Sequence, residues 1–127
     1  MDIRTHHRID PQLCGTPVTL EAGRCHVAFT AQPCMAADDS GLVHGGFVFG
    51  LADYAAMLAV NDPHVVLGAA QVKFLKPVRT GEKLVAAAAV ESVEGKRHVV
   101  QVVVKRGQEA VLEGTFTCFV LARHVLE

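Results

Sequence analysis

The stretch 41–60, GLVHGGFVFGLADYAAMLAV, restricts the possible folds more than any other part of the chain. From Phe47 to Val60 the residues are apolar or small, with Asp53 the one charge among them. A helix here has no polar stripe, and a helix that is hydrophobic all round must be buried all round. Asn61-Asp62-Pro63 stops it, because proline cannot continue the hydrogen-bond ladder and asparagine tolerates the terminal left-handed position. The run has roughly the length of a membrane span, but its glycines and central carboxylate argue against one. The remaining residues therefore have to supply a wrapper.

They read as strands. Segments 17–21 and 24–31 are separated by the turn-forming Ala22-Gly23, and "CHVAFTA" has the β-branched and aromatic content of a strand. Residues 31–41 form a polar loop leading into the helix. After the helix come extended segments 64–76, 82–93, 96–105 and 109–121, divided by "PVRTGE", "EGK" and "RGQ". Short turns between consecutive strands predict an antiparallel meander. In "HVVQVVVK" valines fall on both strand faces, so the second face is expected to be packed as well. The expected fold is α+β: an antiparallel sheet of five or six strands wrapped around one long central helix. Its 127 residues suit one domain, 1–127, with a leader at 1–15.

A formal charge of −1 gives no electrostatic reason to bind nucleic acid or an anionic membrane surface. Cys14, Cys25, Cys34 and Cys118 show no C-x-x-C pair, and the histidines show no H-E-x-x-H, so no metal is expected. No G-x-S-x-G marks a serine hydrolase. Cys25 and Cys118 fall in expected strands, where thiols are structural. The start, MDIRTHHRID, lacks an apolar signal core, and the expected location is cytoplasmic.

Two features carry chemistry. Glycines after His44 let a ligand approach backbone N–H groups at a helix start, which makes His44-Gly45-Gly46 an oxyanion-binding candidate; tight helix packing is the structural alternative. Leu51, Ala52, Tyr54, Ala55 and Ala56 would desolvate Asp53 and raise its pKa towards values useful to a base. The alternative is a structural carboxylate satisfied by Tyr54 of a partner chain or by backbone donors.

His44-Gly45-Gly46, Leu51-Ala52-Asp53 with the acid nine positions after the histidine, and "VKFLKPVRTGEKL" at 72–84 together resemble the hotdog-fold acyl-CoA thioesterases of the phenylacetate-operon type. The likeness covers roughly 36–121, and the tail "TFTCFVLARHVLE" and leader "HHRIDPQLCG" look like a less characterised branch of small bacterial hotdog proteins. The resemblance implies that N–H groups around Gly45 and Gly46 polarise a thioester carbonyl, that His44 positions it, and that Asp53 acts as nucleophile or general base. It implies hydrolysis of an acyl-CoA to a carboxylic acid and coenzyme A, with no metal or redox cofactor. Family members often have asparagine six residues before the histidine; Asp38 stands there instead and is carried as a substrate-contacting position.

Nine helical residues put Asp53 roughly 13 Å from His44 along the axis and about half a turn round. One chain cannot easily bring both to one carbon. Two antiparallel helices across a two-fold axis can, so the catalytic reading requires a homodimer with composite sites, and a dimer of dimers is compatible with it. Lys73, Lys76 and Arg79 bracket Pro77 and are candidates for coenzyme A phosphates. Phe47, Phe49, Tyr54, Met57 and Phe74 are candidates for an acyl pocket. Two competing readings stand beside hydrolysis: a non-catalytic acyl-thioester sensor using the same groove, and an enoyl-CoA hydratase using Asp39 and His44, whose spacing resembles the hydratase acid and base pair.

Overall fold

The elements follow the chain as a single helical turn α1 (Pro11–Cys14), strands β1 (Thr16–Glu21) and β2 (Arg24–Thr30), helix α2 (Gly45–Val60), and strands β3 (Val65–Phe74), β4 (Lys83–Glu94), β5 (Arg97–Arg106) and β6 (Glu109–Val120). The computed structural model describes all residues, Met1–Glu127. The strands form one antiparallel sheet in the order β1-β2-β4-β5-β6-β3, curved around α2. This is the α+β hotdog architecture, with six strands.

Each helix boundary has a local cause. The His44 ring accepts from the Gly46 N–H at 2.8 Å and caps the start, while Asn61 closes the end in the left-handed conformation at φ 52°. Beneath the helix, alternate residues of each strand form the floor of the core: Val27 and Phe29, Leu84, Ala86 and Ala88, Val100, Val102 and Val104, Leu112 and Phe116. Ala86 and Ala88 on β4 leave the helix backbone room to approach the sheet. The outer face is mixed. Val99 and Val103 are half-buried there, whereas Gln101 accepts from Thr115 Oγ1 at 3.0 Å and donates to Glu91 at 3.1 Å.

The meander expectation holds for β4-β5-β6 and fails for β3. That strand lies at the far edge against β6, and β4 pairs with β2 instead. The physical reason lies in the connection 75–82, which is tied elsewhere and cannot act as a hairpin turn. Val43 N–H donates to Val78 O, Thr80 N–H to Gly41 O and Gly81 N–H to Ala31 O, at 2.7–2.9 Å. Arg106 fastens the same segment by donating to Pro77 O at 2.9 Å and to Glu82 at 3.0 Å. The crossing segment therefore runs past the N-terminus of α2 and brings residues around Pro77 to the helix start. Sequence reading gave Arg106 no part in this.

Three surfaces of this frame remain open, the outer edge of β1 among them. β3 ends the sheet with one unpaired backbone edge. On α2, exposed Gly46 and half-buried Phe49 and Asp53 form a stripe left partly open between the sheet and the N-terminal segment.

Candidate active site

The start of α2 is ordered by rings. A Cβ on Gly46 would stand 2.8 Å from His44 Nδ1, and one on Gly45 would stand 3.2 Å from the Phe74 ring. Both glycines therefore leave room for neighbouring rings, and those rings set which donors are tied. Gly46 N–H is committed to His44 Nδ1 at 2.8 Å, and Phe47 N–H donates to His44 O at 3.1 Å. Gly45 N–H has no protein acceptor and points from the positive end of the helix. Because Nδ1 accepts, neutral His44 carries its proton on Nε2, which leaves a second outward donor. Phe47 stands edge-on to the imidazole at 6.1 Å and limits its rotation.

Beside these donors is a cavity of about 260 Å³ whose walls include Gly45, Val48, Phe74, Leu75, Lys76 and Pro77. Its apolar lining and single ammonium suit the junction of an apolar chain with an anionic group. Phe74 is exposed to 56 %, with its ring lying over Gly45 at the mouth of this cavity.

Asp53 occupies a different environment. Its Oδ1 is buried and has no hydrogen-bond partner. Burial pushes its pKa up to about 6. Neither Tyr54 nor a backbone donor satisfies it, which removes the within-chain version of the structural-carboxylate reading. On one flank, Phe49 packs against Phe116 with ring centroids 5.5 Å apart, and the Cys118 thiol is pushed up to about 12 by burial and by the Asp53 charge. On the other flank, the half-buried Cys14 thiol is raised by burial, by Asp53 and by Asp10. Sequence reading passed over Cys14, and only the small residue at Gly50, against which it packs, hinted at a neighbour there.

The other expected site residues separate into groups. Lys76 lines the cavity at the helix start, near Glu109, whose carboxyl is lowered first by the hydrogen bond from Arg106 and to a lesser degree by the Lys76 charge. Lys73, one face over on β3, points to the outer side of the sheet beside Glu113, Gln71 and Gln101. Arg79 is exposed, and its backbone N–H donates to Glu82 at 2.6 Å. Tyr54 is buried and faces the His6 ring at 6.3 Å, away from the helix start. Asp38 is exposed and accepts from the Ser40 backbone and hydroxyl, the hydroxyl bond holding its carboxyl below the usual range. Asp39 is exposed in the same loop. Within one chain, then, Gly45, His44, Phe47, Phe74 and Lys76 come together, and Asp53 stands apart.

The family whose sequence profile matches residues 40–113 is described as the thioesterase superfamily. Among curated relatives, methylthioribose-1-phosphate isomerase of Aquifex aeolicus is 51% identical over 91% of this chain, but the match is 25% of that protein's length. Transcription factor FapR of Bacillus velezensis is 31% identical over 87% of this chain and 56% of its own. The chain thus spans a quarter to about half of these relatives. Among solved structures, an uncharacterized protein from Pyrococcus horikoshii, PH1136, superimposes with TM-score 0.98 at 51% identity, covering 100% of this chain and 98% of its own. The E. coli PaaI protein of the phenylacetic acid degradation operon gives TM-score 0.75 at 25% identity over 82% of this chain and 81% of its own.

Proposed function

The chain belongs to the thioesterase superfamily, and from that premise we propose that it hydrolyses an acyl-CoA to a carboxylic acid and free coenzyme A. The observation that carries the proposal is Asp53 Oδ1, buried and without a donor. A carboxylate kept for structure is paired; an unpaired one raised to about 6 is poised to take a proton from water near neutral pH.

The reaction needs a base on one side of the carbonyl and donors on the other. Asp53 accepts a proton from water as the oxygen bonds to the acyl carbon. Gly45 N–H and His44 Nε2–H stabilise the charge gathering on the carbonyl oxygen. When the C–S bond breaks, the coenzyme A thiolate takes the proton from Asp53, so water has been added across the thioester. Because α2 holds Asp53 and His44 roughly 13 Å apart along its axis and about half a turn round, the proposal includes a homodimer in which Asp53 of one protomer meets His44 and Gly45 of the other. The open stripe on α2 and the free edge of β3 are the surfaces such pairing would cover. Lys76 is proposed to meet the anionic end of the ligand and Phe74 the acyl end.

The FapR relatives favour a second reading, an acyl-thioester sensor that binds in the same groove without turnover. The isomerase name belongs to a protein of which this chain matches only a quarter, and it supports no isomerase assignment here. Free-thiol release from short, long and aromatic acyl-CoAs decides between hydrolase and sensor. Turnover that is lost in Asp53→Asn supports hydrolysis; acyl-CoA binding without turnover on any substrate overturns it in favour of sensing.

A further inference from the structure

The leader, residues 1–15, is more than a tail. It runs antiparallel along α2 and touches one ridge of it at three heights. Cys14 Sγ lies 4.0 Å from where a Cβ on Gly50 would stand. The His6 ring faces Tyr54 at 6.3 Å. Near the helix end, Asn61 accepts from Arg4 N–H and donates to Asp2 O, both at 2.8 Å. The strap is pinned at its inner end by Gly15, where a Cβ would stand 2.7 Å from Ala28 O and 2.8 Å from Val27 Cγ1. No side chain fits there, and φ of 95° favours glycine independently. Thr5, the one buried polar residue, has its hydroxyl 2.7 Å from His6 Nδ1 and so orients the ring that faces Tyr54.

Gly50, Tyr54 and Asn61 lie on one side of the helix, and Asp53 lies beside that row, roughly 60° round from Gly50. Strand β6 provides the flank opposite, through Phe116 and Cys118. Asp53 therefore sits in a trough with the sheet as one wall and the strap as the other, and Cys14 is the strap residue at its level.

We propose that the leader is a working part of the Asp53 site, with Cys14 as a positioning residue that closes the trough against water and so sets the protonation of the carboxylate from outside the six-stranded core. The role uses the thiol's volume and low polarity rather than its reactivity: sulfur lies over Gly50 without offering Asp53 a strong donor. Within the chain, the titratable groups near the carboxylate are Cys14 and Cys118, with Asp10 behind Cys14 on the strap, and the proposed homodimer adds His44 of the partner subunit across the reacting carbonyl. No cation of the chain itself faces Asp53, so solvent exclusion is the lever available to the strap. The proposal deepens the hydrolase reading and rests on it only where turnover is the readout.

The test titrates the Asp53 carboxyl directly, by carbon-13 NMR on the full chain, the resonance being assigned by its loss in Asp53→Asn. Cys14→Ala admits water to the trough, and the midpoint is expected to fall by about half a unit or more. Cys14→Ser keeps the volume but supplies a hydroxyl donor, and the midpoint is expected to fall as well. Cys34→Ala, an exposed thiol elsewhere, leaves it unchanged. If the protein hydrolyses acyl-CoA, the acidic limb of kcat/KM moves with the NMR midpoint in each Cys14 variant. A midpoint identical in native, Cys14→Ala and Cys14→Ser proteins that fold alike overturns the proposal, whatever the turnover. A shifted midpoint without turnover in the native protein upholds the strap's role and sinks the hydrolase reading alone.

Discussion

The two halves of α2 treat their polar groups in opposite ways. At the helix start the polar groups are arranged locally: His44 caps Gly46, and the Gly45 N–H and His44 Nε2–H are left pointing outward. Two turns later half-buried Asp53 holds one oxygen buried and unsatisfied. A capped terminus stabilises the fold, whereas an unpaired buried carboxylate costs it. The contrast marks the first as a prepared receptor and the second as a group retained at the expense of stability.

The sharpest way to break this contrast is Asp53→Asn. Thiol release should fall by about 10³-fold, the usual scale for a positioned base. The same change should raise thermal stability at pH 8, because it removes a buried charge and keeps the shape. A variant that loses activity and stability together would show Asp53 to be structural.

Replacing Gly46 by Ala attacks the other half. The new methyl would stand 2.8 Å from His44 Nδ1 and displace the ring, so activity should drop by about 10- to 100-fold through lost donor placement. His44→Ala should weaken activity similarly and cost about 1 kcal/mol as a lost cap. Equal activity in both variants and the native protein, measured by thiol release, would remove the helix start from the mechanism.

pH separates the halves further. Asp53 is raised from 3.8 to about 6, so the folded state holds a proton that the unfolded chain gives up earlier. Its contribution to stability is thus full below about pH 4 and is lost as pH rises towards 6, a change on the order of 2 kcal/mol that Asp53→Asn should abolish. Activity runs the other way, rising with pH through about 6 as the base ionises. Denaturant melts and kcat/KM between pH 4 and 8 check both slopes.

The smallest effect expected concerns the ligand's anionic end. Lys76→Ala should raise KM about threefold with kcat kept, whereas Lys73→Ala, on the outer face of the sheet, should leave both unchanged. The reverse result would move the binding groove to the other side of β3.

Much of this protein was legible in local chemistry. The end of α2 at Asn61, its start at His44, the turns at Ala22-Gly23 and around Gly95 and Gly107, and the strands between them all depend on residues within one turn of one another. The desolvated setting of Asp53 was legible too, since its apolar neighbours are its sequence neighbours. The position of β3 was not: whether it pairs with β4 or β6 depends on where 75–82 is tied, and its partners lie near residues 31, 41, 43 and 106. Nor was the division between Lys73 and Lys76, three residues apart and on opposite sides of the sheet.

By itself the sequence determined an all-apolar helix with one acid in it, the strands needed to wrap that helix, and a histidine with two glycines at its start. Tertiary structure alone decided which N–H stays free, which lysine faces the helix end, and that a strap from the first fifteen residues walls in Asp53. The reason is physical: capping, periodicity and turn chemistry act over a few residues, whereas solvent exclusion around a carboxylate is the joint work of segments far apart in the chain.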